Sequence, residues 1–360
     1  MQNGISIYPG LDNSLEENLQ LIQDASNLGI TRLFTSFHIP ETDYTVFQNE
    51  VGTIFSFARQ HGMEIITDIA PETLEMLGME KLRLSALHFL GIRTIRLDDG
   101  YSTDEIARLS RNTSGIRVQL NASTATGRML NGLIAAKANF QNIDALHNFY
   151  PREGTGLSEE ALVRKTSMLH KAGILSVGAF APSRGRRRSP LRAGLPTLEM
   201  HRDIPMSLAA RHLAAAHIDS VILGDSLPTH EELAQLAKIT NEQVMLHALL
   251  LTKDPIQKQL LSHAFTARLD EARDAVRAQE SRSLLKEANG TIDAENTKAR
   301  PYGAITLDNV NYGRYMGELE ILKRPQPADP RTNVSALVLD EEQFLINYIV
   351  PGKKFSFDFV

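Results

Sequence analysis

Residues 91–109 read Gly-Ile-Arg-Thr-Ile-Arg-Leu-Asp-Asp-Gly-Tyr-Ser-Thr-Asp-Glu-Ile-Ala-Arg-Leu. The stretch holds one complete structural unit. Gly91 suits the position just past a helix, where a left-handed backbone carries no Cβ penalty. Residues 94–98 form a short β-branched and apolar run, which predicts a strand. An acidic turn follows, and Thr103 then opens a helical stretch to Leu109 with acidic residues in its first turn, where free amides favour negative charge.

Working outward, the same rhythm recurs roughly every 30 residues as far as residue 238, as a chain of β/α units should. Strands are expected at 5–8, 32–38, 64–70, 94–98, 117–121, 143–148, 175–180 and 220–224. Their central positions are mostly apolar without clean alternation, the mark of parallel strands covered on both faces. Gly29-Ile30 and Gly173-Ile174 repeat the helix-to-strand junction, and Ser14 and Ser158 repeat the helix-opening cap. Eight such units predict an α/β chain whose residues 1–238 form a (β/α)8 TIM barrel. Beyond residue 239 the rhythm changes. Strand-like runs at 244–251, 304–307, 317–322, 334–339 and 344–349, with a charged helical stretch at 267–279, predict a smaller β-rich domain over 239–360. Residues 287–300 are its expected mobile loop.

Composition narrows the chemistry. With 38 basic against 43 acidic residues and a formal charge of −5, no broad face for nucleic acid is expected. The absence of cysteine removes disulfides, zinc-thiolate sites and thiol catalysis, and suits a reducing compartment. Apolar runs all break before the ~18 residues that a membrane span requires. The start, Met1 to Tyr8, has no signal-like character, so a cytoplasmic location is expected. Neither a glycine-rich nucleotide fingerprint nor a His and carboxylate cluster of metal-ligand spacing stands out, so no cofactor and no metal are expected.

A barrel enzyme places its reacting groups at the carboxyl ends of its strands. Those ends read Thr35-Ser36-Phe37-His38, then Asp68, Arg96-Leu97-Asp98-Asp99, Gln119-Leu120-Asn121, His147-Asn148-Phe149-Tyr150 and Gly224-Asp225. This inventory of hydrogen-bonding side chains suits a sugar. Asp98 and Asp99 are the sharpest feature, because glycoside cleavage needs an acid for the leaving oxygen and a second group for the cationic centre. A helix cap or turn pair is the plain alternative. Asp68 and Asp225 could supply a further carboxylate, or could simply cap loops. His38 and His147 are candidate donors, or histidines hydrogen-bonded into the barrel. Arg184, Arg186, Arg187, Arg188 and Arg192 crowd the loop after the seventh strand, where barrels often bind phosphate; one or two are expected to do so, with Arg184 foremost.

The stretches Thr35-Ser36-Phe37-His38-Ile39-Pro40-Glu41, Arg96-Leu97-Asp98-Asp99-Gly100, Gln119-Leu120-Asn121-Ala122-Ser123 and His147-Asn148-Phe149-Tyr150-Pro151-Arg152 belong to a longer ordered series. It continues with Gly194-Leu195-Pro196-Thr197-Leu198-Glu199, then His201-Arg202, and, in the second domain, Asp308-Asn309, Tyr312-Gly313-Arg314-Tyr315 and Gly317-Glu318-Leu319. Over nearly the whole chain this series resembles the bacterial 6-phospho-N-acetylmuramidases of the MupG type. The resemblance implies a barrel followed by a cyclophilin-like domain. It also implies exo-cleavage of N-acetylmuramic acid 6-phosphate from N-acetylglucosamine in cell-wall recycling, the partner being a small phosphorylated amino-sugar disaccharide. Asp98, Asp99 and Asp225 are then the catalytic candidates. His38, Asp68, Arg96, Gln119, Asn121, His147, Asn148, Tyr150, Arg184 and Glu199 are the substrate-binding ones. Two other readings stand beside it: a phosphosugar lyase, aldolase or epimerase on the same fold, and a sugar-binding protein without turnover.

Overall fold

The computed structural model describes residues 1–37, 39–69, 82–97 and 100–360. The chain divides into two compact units, Met1–Ile239 and Thr240–Val360. In the first, eight parallel strands close into a barrel in chain order. They are β1 Gly4–Ser6, β2 Arg32–Thr35, β3 Glu64–Ile69, β4 Ile92–Leu97, β5 Arg117–Asn121, β6 Ile143–Leu146, β7 Val177–Ala181 and β8 Ser220–Leu223. β1 pairs with β2 on one side and with β8 on the other, which closes the ring. Several strands stop short of their expected ends, because residues such as Tyr8 and Asn148 have already left the ladder for the mouth.

Local chemistry sets the junctions. Gly29, Gly91 and Gly173 adopt φ of 79°, 99° and 96°, the left-handed region that only glycine enters freely. Ser14 with Glu17 and Ser102 with Glu105 form reciprocal capping boxes on the helices Leu15–Asn27 and Thr103–Ser110. The cap of the latter is thus Ser102, one residue ahead of Thr103.

Side chains two apart on a strand share a face, so the barrel interior fills in layers. The lowest layer is ionic. Arg32 is 2% exposed, donates from Nε to Glu64 at 3.2 Å and reaches across the interior to Asp144 on β6, also at 3.2 Å. Thr94 donates to the other oxygen of Glu64. Gly4 makes room: a Cβ there would lie 2.9 Å from the Arg32 Cβ. Two residues along the strands lies an apolar layer of Phe34, Ile66, Leu146, Phe180 and Ile222. Phe34 and Phe180 meet edge to face at 5.1 Å, and Phe149 closes the triad at 5.0 Å from Phe180.

The second unit is a seven-stranded sheet of order β10-β15-β9-β14-β12-β13-β11. Its strands are β9 Gln243–Leu250, β10 Phe265–Thr266, β11 Ala275–Arg277, β12 Ala304–Asp308, β13 Leu319–Leu322, β14 Thr332–Val338 and β15 Lys354–Phe359. Neighbours run antiparallel except β9 and β15. The helix expected over 267–279 is a hairpin-like turn instead. The Arg268 amide donates to the Arg277 carbonyl at 3.0 Å, and both guanidiniums approach Glu318. The strand expected over 344–349 is part of the 3-10 segment Asp340–Tyr348, held where Glu342 accepts from the His247 amide and Nδ1 at 2.8 and 2.7 Å. The loop expected to be mobile is irregular but tied down. Asn333 donates to the Asp293 carbonyl at 2.8 Å, and Gln257 donates to Glu295 at 2.9 Å. No described helix is long and apolar enough to cross a membrane.

The ionic layer yields a pH-dependent signature. Burial pushes Asp144 up to about 6, against the opposing pull of Arg32. Its folded value thus exceeds its unfolded one of about 4. Folding then takes up a proton inside that window, and stability through this group is lost as pH rises across it. Asp144→Asn does not titrate. The stability difference between variant and parent, from denaturant unfolding, should move in the variant's favour by on the order of 2 kcal/mol between pH 4 and pH 7. A difference that stays constant with pH would contradict the assignment.

Candidate active site

At the carboxyl ends of the strands lies a cleft of about 270 Å³. Phe34, Phe149 and Phe180 give it an aromatic floor and Ile39 and Pro40 an apolar wall, while Ser36, Glu41, Asp68, Arg96, Asn148 and Arg188 supply the polar groups. His38, Asp98 and Asp99 lie outside the described residues.

Three expected residues meet in this cleft. Arg96, 3% exposed on β4, donates from one terminal nitrogen to Asp68 at 2.8 Å and from the other to the Asn148 side-chain oxygen. The β3–β4 register sets Asp68 beside Arg96, and the pair is level with the cleft, one period above Ile66. A buried ion pair of this kind costs a great deal to break from one side, so it holds its geometry.

Other candidates are placed elsewhere. Gln119 is buried in the interior as the register partner of Asp144 and does not line the cleft. The Asn121 side-chain oxygen accepts from the Ser123 and Thr124 amides at 3.0 and 3.4 Å, which shapes the turn after β5. His147 follows Leu146, an inward residue, and so faces out of the barrel. Its ring nitrogens meet the hydroxyls of Ser123 at 3.2 Å and Thr166 at 3.1 Å, and burial drives its pKa down to about 3, leaving a neutral imidazole. Tyr150 is tied by its backbone, its amide to Pro196 and its carbonyl to Arg202.

Glu199 is a brace between loops. It accepts from the Gly154 and Gly156 amides at 2.8 and 2.7 Å and from two nitrogens of Arg202 at 2.7 and 2.8 Å. These donors hold its carboxyl down to about 2, the Arg202 bonds foremost. A Cβ on Gly156 would stand 2.6 Å from the Glu199 carboxylate, so only glycine lets the strand of chain pass so closely. Arg202, 4% exposed, further donates to the carbonyls of Tyr150, Arg152, Ala193 and Gly194. His201 of the same motif is fully buried against His212 at 2.8 Å.

Asp225 has its carboxylate turned into the loop after β7. It is 0% exposed and accepts from the amides of Ser183, Arg188 and Leu195 at 2.8, 3.1 and 3.4 Å. Burial pushes its pKa up and the three amides pull it back. It does not line the cleft. That loop also separates the arginines. Arg184 is exposed and donates to the Asp203 carbonyl. Arg186 grips Glu17 with two bonds of 2.8 Å, and Arg187 donates to the Arg202 carbonyl at 3.1 Å. Arg188, not Arg184, faces the cleft. Sequence reasoning also passed over Ser36 and Glu41, although both stand in the quoted motif after the second strand.

Fold and cleft together define a (β/α)8 barrel protein with a polar, aromatic-floored pocket at its strand ends, joined to a curled, mostly antiparallel sheet. The family model described as 6-phospho-N-acetylmuramidase, N-terminal, matches residues 3–238, and its C-terminal counterpart matches residues 244–358. The chain belongs to the 6-phospho-N-acetylmuramidase family. Among solved structures it is similar to an uncharacterised B. cereus protein, with a TM-score of 0.86 at 29% identity over 99% of each chain. It is also similar to a conserved Enterococcus faecalis protein of unknown function, with a TM-score of 0.71 at 31% identity over 100% of this chain and 96% of that one. No curated protein matches it.

The brace is testable apart from activity. Arg202→Met removes the cation that Glu199 and four carbonyls share, and should cost the barrel roughly 3 kcal/mol, about 6 °C or more in Tm. Hydrogen exchange at the Gly154 and Gly156 amides should quicken with it. Unchanged Tm and unchanged exchange would remove the brace from the account.

Proposed function

We propose that the chain is a glycoside hydrolase, an exo-acting 6-phospho-N-acetylmuramidase that releases N-acetylmuramic acid 6-phosphate from N-acetylglucosamine during cell-wall recycling. The carrying observation is the family match over both units, with the cleft where barrel enzymes hold their substrates. A phosphorylated sugar does not cross a bilayer unaided, so the working compartment in this reading is the cytoplasm.

The reacting groups in this reading are Asp98 and Asp99, which follow Arg96 and Leu97 in sequence. One carboxylate orients the 2-acetamido group of the substrate, whose carbonyl oxygen forms a bond to C1 as the bond from C1 to the leaving oxygen breaks. Asp99 gives its proton to that oxygen, and water then opens the cyclic intermediate. Asp68, Arg96 and Asn148 hold sugar hydroxyls through a network whose members are already fixed by one another. The rival, double displacement with Asp225 as nucleophile, is disfavoured by the three amides that occupy that carboxylate.

Incubation of the full chain with phosphorylated and unphosphorylated muramyl disaccharides, followed by mass analysis, tests the reading directly. Intact phosphorylated disaccharide after long incubation would sink it. Asp99→Asn should lower kcat by roughly 10²- to 10⁴-fold, and an activated leaving group should recover most of the loss. Glu41 also lines the cleft. If Glu41→Gln, and not Asp99→Asn, shows the leaving-group rescue, the acid is Glu41.

A further inference from the structure

Three buried arginines of the first unit hold carboxylates. Arg32 pairs with Glu64 and Asp144, Arg96 with Asp68, and Arg202 with Glu199. Arg188 differs. It is 8% exposed, yet among the described residues no carboxylate lies within ion-pair distance of its guanidinium, and its Nε has no hydrogen-bond partner. Its head group instead lies 5.2 Å from the ring centre of Tyr8 and 5.0 Å from that of Phe149. Ring faces attract a cation, but less than the water it has given up. A buried cation left without an anion is a poor way to stabilise a loop and a good way to receive a charged ligand.

We propose that Arg188 is the anion subsite of the cleft, taking the charged oxygens of an anionic sugar whose ring lies over the Phe149 and Phe34 faces. The inference rests on the glycosidase reading only for the identity of the sugar. The planar fork of a guanidinium presents paired donors that match two oxygens of a phosphate monoester or a carboxylate. Its two aromatic neighbours hold the head group between them. The backbone is fixed as well: the Arg188 amide donates to Asp225 at 3.1 Å and the next amide, of Ser189, to Asp12 at 2.9 Å. Asp225 is therefore a positioning residue that acts through Arg188.

The shared chemistry is an anionic oxygen pair, and its two sources on a muramyl sugar phosphate are the phosphate and the lactyl carboxylate. Calorimetric titration of the full chain with inorganic phosphate, glucosamine 6-phosphate and unphosphorylated N-acetylmuramic acid separates them. Arg188→Gln should weaken the relevant ligand by about 10- to 100-fold, with Arg188→Lys in between, since an ammonium cannot form the fork. Arg192→Gln, which removes an exposed charge from the same loop, should stay within about twofold. A loss confined to the phosphate compounds assigns the phosphate to Arg188. A loss confined to N-acetylmuramic acid assigns the carboxylate, and the subsite stands. Folded Arg188→Gln protein that binds all three as the parent does overturns the proposal, as does a parent chain that binds none. Should the glutamine variant fail to fold, parent-like affinity of Arg188→Lys for all three has the same force. Arg188-dependent binding in a chain that leaves the disaccharide intact would reject the glycosidase reading while keeping the subsite.

Discussion

A closed parallel barrel has to fill its own interior, and that constraint orders everything else in the first unit. The strands present side chains in period two, so each inward residue fixes the level of the next. Arg32, Glu64 and Asp144 make an ionic floor, Phe34, Ile66, Leu146 and Phe180 an apolar layer above it, and Asp68, Arg96 and Asn148 the polar rim. The apolar layer keeps the two charged layers apart.

Much of this was legible in the sequence because it depends on local rules. Glycines that end helices, capping serines and β-branched runs recur at a fixed rhythm, and each carries its own physical reason. Asp68, Arg96 and Asn148 could be read because the carboxyl ends of barrel strands gather around one mouth. The second unit was harder. Residues 267–279 carry charges at a spacing that also suits a helix, but β11 pairs with the distant β13, and Asp270 and Glu318 both hold Arg268 and Arg277, so the stretch is a hairpin. Phe355, Phe357 and Phe359 of β15 alternate with period two, yet the short and unevenly spaced strands around them give no rhythm that picks the strand out.

The lining of the candidate cleft was only partly legible. Polar residues at strand ends divide into those that face the cleft and those that shape the turns leading to it, and the two look alike in a linear chain. Asn121 satisfies amides of its own turn, while His147, Glu199 and Asp225 satisfy backbone or hydroxyl groups of neighbouring loops and elements. Five arginines within nine residues look alike in the sequence, and that Arg188 is the one lining the cleft depends on contacts made far along the chain, among them the bond from its amide to Asp225.

That last dependence bears on how this barrel can be rebuilt. Barrel loops are commonly treated as interchangeable cassettes, yet the one after β7 is anchored from outside its own boundaries. Asp225 gathers three of its amides, and Glu232, in the helix His230–Ala237, accepts from the Ser183 hydroxyl and the Arg184 amide, both at 2.7 Å. A graft of residues 182–197 alone would carry the arginines into a new host and leave behind what aims them. A cassette cut from β7 through the helix after β8 would keep Asp225 and Glu232 with the loop, while the host would still have to supply Asp12, which accepts from the Ser189 amide, and the rings of Tyr8 and Phe149 beside Arg188.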